Sequence, residues 1–174
     1  MEDRLEIDVA RLRSEGETFE GVLDDSVLEM DGDPLIHPFA GLRYNMFVRL
    51  LGGELLVRGR LEQDFEAVCS RCGADFDFTA TVDDFTESYP VDEKTEFVDL
   101  TDELRQSIIL ALPNYPICRS DCRGVCPHCR KNLNEGDCGC VPDERDGRWA
   151  ALDALAPDGE DQGRKEGEKR NGIT

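Results

Sequence analysis

Asn45-Met-Phe-Val-Arg-Leu-Leu-Gly52-Gly53-Glu-Leu-Leu-Val-Arg-Gly-Arg-Leu61 is the stretch on which the fold turns. Two apolar-rich arms flank a Gly-Gly pair, and glycines accept the positive φ that a two-residue hairpin turn demands. The stretch predicts a β-hairpin. Its second arm runs on through Gln63-Asp-Phe-Glu-Ala-Val68 toward Cys69, with Gly59 a candidate bulge. After Cys72, Asp75-Phe-Asp-Phe-Thr-Ala-Thr-Val82 alternates polar and apolar residues, the period of a half-buried strand. Cys69-Ser-Arg-Cys72-Gly73 therefore falls at the tip between two strands. Upstream, Leu5-Glu-Ile-Asp-Val9 alternates in the same way, and residues 18–23 form a weaker strand candidate. Asp31-Gly-Asp-Pro34 is a turn signal, and His37-Pro-Phe39 reads as loop. Four to six antiparallel strands result. Phe76, Phe78 and Phe85 read as sheet core rather than as base-stacking platforms.

The helical signal comes late. Leu100, Leu104, Ile108, Ala111 and Leu112 recur at spacings of three and four, which puts them on one face. Asp99 or Thr101 can cap that helix, Asp102 and Glu103 suit its first turn, and Pro113 stops it. Residues 114–141 are rich in cysteine and without period. A second short helix is expected at about 143–155, with Trp149, Leu152 and Leu155 as its apolar stripe. Beyond Pro157 almost nothing apolar remains, so 157–174 reads as a disordered tail. The fold class that follows is α+β: an antiparallel sheet able to curl toward a barrel, an amphipathic helix and a C-terminal zinc-knuckle segment. The expected division is a sheet-plus-helix domain over 1–113, carrying the first C-x2-C, and a cysteine-rich zinc-binding segment with its short helix over 114–156.

The charge pattern narrows the partners. The 174 residues carry 39 acids and 20 bases, a net charge of −19, which argues against non-specific DNA binding. Two basic islands interrupt the acidic chain: residues 41–61 hold four arginines and one acid, and 104–134 hold five bases and one acid. If folding joins them, they make an electropositive patch for phosphate. The longest apolar run, 108–113, is far shorter than the ~20 residues a membrane span needs. The acidic start, with no apolar stretch behind it, does not read as a secretory signal. Eight cysteines without such a signal point to the reducing cytoplasm, and to metal rather than disulfides.

The cysteines run Cys69-x2-Cys72, a gap of 45 residues, then Cys118-x3-Cys122-x3-Cys126-x2-Cys129-x8-Cys138-x-Cys140. Zinc takes four soft ligands in a tetrahedron, and short cysteine pairs present two thiolates to one ion. Two structural zinc ions with four thiolates each are expected. Gly73 suits the left-handed residue that closes a knuckle, whereas Arg130 occupies the matching position after Cys129. Cys126, Cys129, Cys138 and Cys140 are close enough to form one site, which leaves Cys69 and Cys72 to meet Cys118 and Cys122. An interleaved set, Cys69 and Cys72 with Cys126 and Cys129, is the main competitor. His37 and His128 carry no ligand signature. No nucleophile elbow or phosphate-binding loop is present, so no catalytic residue is assigned.

Cys69-Ser-Arg-Cys72-Gly73, Ile109-Leu-Ala-Leu-Pro113, Cys118-x3-Cys122-Arg-Gly-Val-Cys126-Pro-His-Cys129, Asn132-Leu-Asn134 and Cys138-Gly-Cys140 together resemble the YceD family. Its members are described as large ribosomal RNA subunit accumulation proteins. The resemblance implies a bacterial or plastid factor needed for proper amounts of 23S ribosomal RNA, with no established enzymatic activity. The partner is then ribosomal RNA or a pre-ribosomal particle, or a basic large-subunit ribosomal protein, with neither membrane nor small-molecule substrate. Arg119, Arg123, Arg130 and Lys131 are the candidate partner-binding residues, since clasped loops would hold them outward. Cys126-x2-Cys129 with Cys138-x-Cys140 also resembles a redox-switched zinc-thiolate chaperone, the alternative function.

Overall fold

The computed structural model describes residues 3–140. Six strands and one α-helix run in the order β1 (Glu6–Asp8), β2 (Glu17–Leu23), β3 (Ile36–Leu51), β4 (Glu54–Val68), β5 (Asp75–Pro90), β6 (Phe97–Asp99) and α1 (Thr101–Ala111). The expected helix at 143–155 and the tail at 157–174 lie outside the described residues. A compact unit spans Met1–Cys138; of the second unit, only Gly139 and Cys140 are described.

The hairpin forms as its turn chemistry dictates. Leu51 pairs with Glu54, and Gly52 and Gly53 take φ of 61° and 88°, the left-handed pair that matches strand twist. β3 and β4 then pair over most of their length, and β5 returns antiparallel on the far side of β4. The four-stranded sheet has the order β2-β3-β4-β5 and stays open; β1 and β6 form a separate pair. The expected curl into a barrel is therefore corrected. Two bulges bend the sheet without closing it. Ala40, Gly41 and Leu42 stand opposite the single residue Gln63, and Asp83 and Asp84 stand opposite Arg60. Gln63 is fully buried and donates its side-chain N–H to Phe39 O at 2.8 Å, stitching the first bulge.

His37-Pro-Phe39 is strand, not loop. Val68 N–H donates to Leu35 O, so the ladder places its hydrogen-bonded pairs at His37 and Phe39 and skips Pro38. β2 pairs with β3 only from Leu42 to Val48, so the missing Pro38 N–H would have faced an open edge. Proline there forfeits no bond, which is why its usual loop meaning fails.

One apolar core lies on the inner face of this sheet. Leu42, Met46, Val48, Leu55, Val57, Leu61 and Phe65 point inward from β3 and β4. Leu104 and Ile108 of α1 and Ile7 and Val98 of the small β1–β6 pair cover them. Ala111 is exposed, so the buried face of α1 is narrower than its spacing suggests. The N-cap is Leu100, which makes no side-chain cap bond, rather than Asp99 or Thr101; Asp99 just before it accepts the Thr101 N–H at 2.9 Å, and the chain turns extended at Leu112 before Pro113. Phe85 belongs to this core and Phe78 is half-buried against it, whereas Phe76 packs on the cysteines.

Candidate metal centres

Two knuckles are built by the same backbone device. Cys69 N–H donates to Ala74 O and Gly73 N–H to Cys69 O, both at 2.9 Å. Cys126 N–H donates to Lys131 O and Arg130 N–H to Cys126 O, again both at 2.9 Å. The turn requires a left-handed residue four positions after the first cysteine, and Gly73 and Arg130 supply it with φ of 72° and 61°. Glycine does this without penalty, whereas arginine holds a conformation that costs about 1 kcal/mol. The sequence expectation at Arg130 is thus a real local strain, tolerated because the knuckle closes around it.

Cys69 and Cys72 meet Cys118 and Cys122, with all four sulfurs within 4.8 Å of one another. Cys69 Sγ lies 3.9 Å from Cys122 Sγ, and Cys72 Sγ 3.8 Å from Cys118 Sγ. Thiolates about 2.3 Å from a tetrahedral zinc are about 3.8 Å apart. The spacing therefore fits that ion. Cys126, Cys129, Cys138 and Cys140 make the second group, also within 4.8 Å. The grouping follows the sequence-local reading rather than the interleaved one. Cys69, Cys72 and Cys122 are buried and Phe76 packs against them, while Cys129 and Cys140 are exposed. Each group of four could hold a metal ion.

Within the first group, Cys69 and Cys122 are favoured as thiolates, while Cys72 and Cys118 are pushed the other way. Burial pushes the Cys69 thiol up, but N–H groups of Cys118, Cys72 and Arg71 outweigh it and bring the thiol down to about 6. The Cys118 N–H reaches Cys69 Sγ at 3.4 Å. Asn134 donates its side-chain N–H to Cys122 Sγ at 3.4 Å and lowers that thiol as well. Burial, with the neighbouring sulfurs, drives Cys118 up to about 12. In the second group, N–H groups of Cys129 and His128 lower Cys126 to about 6. Thiols that lose their protons readily are the form that binds a soft metal.

Asn134 and Arg71 are the residues that sequence reasoning missed. Asn134 Oδ1 accepts from Arg123 N–H at 2.9 Å and Arg119 Nη2 at 2.8 Å, so one side chain ties two points of the loop to a sulfur. Arg71 O accepts from Val125 N–H at 3.1 Å, and Arg71 Nη1 donates to Cys122 O at 3.3 Å. The Asn132-Leu-Asn134 spacing was the available signal for Asn134. For Arg71 there was none beyond its place between two cysteines.

Of the four candidate partner-binding residues, three have local partners. Arg119 pairs with Asp121 at 3.3 Å, Arg123 with Asp137 at 2.5 Å, and Lys131 Nζ donates to Asp137 O at 3.0 Å. Arg130 pairs with no acid among the described residues. The two basic islands do not merge. The knuckle island hangs on Ser70 and Arg71 at one end of β4, whereas Arg58 lies ten residues back along the strand. At about 3.3 Å per residue that separation is on the order of 30 Å.

An uncharacterized protein of Mycobacterium tuberculosis is 34% identical over 176 residues, covering 87% of this chain and 82% of the relative. One from Mycobacterium bovis matches to the same extent. A Mycobacterium leprae protein is 47% identical over 66 residues, 35% of this chain and 30% of the relative. No solved structure matches. The model of a family described as large ribosomal RNA subunit accumulation protein YceD matches residues 57–156, which include all eight cysteines. With that match over more than half its length, the chain belongs to the YceD family.

Proposed function

We propose that this protein is a binding factor, not an enzyme, that supports the synthesis, processing or stability of 23S ribosomal RNA by contacting the RNA directly. The observation that carries the reading is the family match, because the family's description names that RNA and its model spans both thiol groups. Two structural zinc ions are assigned, one to each group of four cysteines. Their part is to clasp residues 114–140 against the strand tip at Cys69 and Cys72. Arg119, Arg123, Arg130 and Lys131 then form an electropositive edge for RNA phosphate, in which Arg130 pairs with no acid among the described residues. The cytoplasm is the proposed compartment.

Purification of the full-length tagged chain at low salt tests this. Precursors of the large-subunit RNA are expected to accompany it. Changing Arg123, Arg130 and Lys131 together to Ala should leave zinc content intact and reduce the salt slope of RNA binding by about two units. Recovery of a basic ribosomal protein without RNA, or an unchanged slope in the triple variant, would overturn direct RNA contact by this edge.

A further inference from the structure

The outward face of the four-stranded sheet, near the β3–β4 hairpin, carries a second cationic surface that the knuckles do not use. Met46, Val48 and Val57 point to the core, so Phe47, Arg49 and Arg58 point out. Register aligns Thr18, Phe47, Arg58 and Thr86 in one row across β2, β3, β4 and β5. Arg49 and Leu56 stand opposite each other on the hairpin side of this row, and Asn45 and Arg60 on its other side. Directly opposed residues lie about 5 Å apart and diagonal ones about 7 to 8 Å. Three arginines thus surround one aromatic ring.

Their state of pairing singles them out. Arg43 is held by Asp64 and Glu62, and Arg60 by Glu62 and Asp83. Arg49 and Arg58 make no ion pair or hydrogen bond among the described residues. In a chain of net charge −19, two neighbouring exposed and uncompensated guanidiniums are unusual. Phe47 is 43% exposed. Its ring edge packs on Gly16, where a Cβ would lie 2.4 Å from Phe47 Cζ and 2.9 Å from Val48 O. An exposed ring seated between cations is a platform for a nucleobase, with phosphates taken by the flanking arginines.

The acids nearby complete the match. The β4–β5 bulge opens a groove of about 580 Å³ lined by Asn45, Arg58, Arg60, Asp83, Asp84 and Thr86. Carboxylates there repel phosphate but accept hydrogen bonds from the amino groups of a splayed-out base. Farther along the same face, Glu66 stands opposite Asp77 and Val68 opposite Asp75, so that stretch of the sheet surface is acidic and offers phosphate no cation. From this arrangement we infer that single-stranded RNA binds across the hairpin end of the sheet, its base on Phe47 and its phosphates on Arg49 and Arg58. The inference rests on the RNA reading of the function and adds a contact on the order of 30 Å from the knuckle edge.

The experiment measures binding of a labelled single-stranded RNA of about 12 nucleotides to the zinc-loaded full chain across a salt series. Changing Arg49 and Arg58 together to Ala should weaken binding about ten-fold at low salt and lower the salt slope by about 1.4. Phe47→Leu keeps an apolar seat on Gly16 but removes the π-face. It should weaken binding about ten-fold with the slope unchanged. Equal melting temperatures would show that neither change acts through folding. RNA binding that persists in both sheet variants, but falls in the knuckle triple variant, would overturn this surface while leaving the proposed function standing. Loss in the sheet variants with no loss in the knuckle variant would support it. A wild-type chain that ignores RNA and captures a Lys/Arg-rich peptide would overturn both readings. A duplex bound as tightly as the single strand would overturn the stacking contact.

Discussion

The sheet body and the cysteine segment are held by different forces, and they carry the chain's two kinds of legibility. In the sheet, a single apolar core joins β3, β4, β5, α1 and the β1–β6 pair, with Phe65, Leu61, Met46 and Ile108 fully buried. In the cysteine segment, the buried cluster is Cys69, Cys72 and Cys122 with Phe76 and Cys118 beside them, and Cys126 is buried in the second group. Residues 114–138 contain only one short 3-10 turn, Leu133–Glu135, and an isolated bridge from Val125 to Asn132. Apolar burial stabilises the first region whatever the metal does. The second has little apolar surface to bury, and its described ties are backbone hydrogen bonds, Asn134 and two groups of four cysteines that could hold metal ions. The seam between the regions is the strand tip at Cys69 and Cys72, which belongs to both.

The largest expected effect attacks the sheet. A Cβ at Gly59 would lie 2.2 Å from Asn45 O and 2.6 Å from Met46 Cα, both backbone atoms that cannot move aside. Gly59→Ala should cost about 3 kcal/mol, a drop of roughly 8 °C in melting temperature for a chain of this size. The loss should be similar with zinc bound and with zinc removed. A loss confined to the zinc-bound form would erase the distinction between the regions.

Metal removal attacks the other side. The reduced chain should contain zinc at two equivalents, one per group of four cysteines. Stripping it with a strong chelator should abolish hydrogen-exchange protection of amides such as Val125, Cys126 and Leu133. Amides of β3 and β4 should stay protected. Global unfolding on chelation would mean that the apolar core cannot stand alone.

Asn134→Ala sharpens the comparison within the cysteine segment. It removes the N–H donor to Cys122 Sγ and the acceptor for Arg119 and Arg123 N–H. Zinc affinity of the Cys69 group should fall about 10- to 100-fold, with the second group unaffected. Competition with a chromophoric chelator reads this directly, and equal loss from both groups would show that they act as one unit.

The smallest effect is a gain. Arg130→Gly relieves a left-handed arginine at φ 61° and should stabilise the second knuckle by about 1 kcal/mol. Slower zinc release from the second group is the readout. Faster release would mean that the Arg130 side chain does more for the knuckle than its backbone costs.

The sequence alone determined what depends on neighbours in the chain. Gly52-Gly53 fixed a hairpin because turn geometry is local, and alternation marked β4 and β5 because side-chain direction has a period of two. The C-x2-C spacing marked both knuckles because two sulfurs that close can share an ion. The helix from Thr101 was legible for the same reason, down to its stop at Pro113. Tertiary structure alone decided everything that depends on distant partners. The 45-residue gap between Cys72 and Cys118 closes because β5 carries the chain from the strand tip to the hairpin end and the stretch through β6 and α1 leads it back to the tip, where Ser70 N–H donates to Pro116 O. The sheet stays open, and Pro38 sits in a strand, because the limited reach of β2 leaves an edge there. The two basic islands face different ends of β4, since register rather than composition sets where an arginine points. Local conformation follows from sterics over a few residues, whereas long-range placement is set by how the whole apolar core packs.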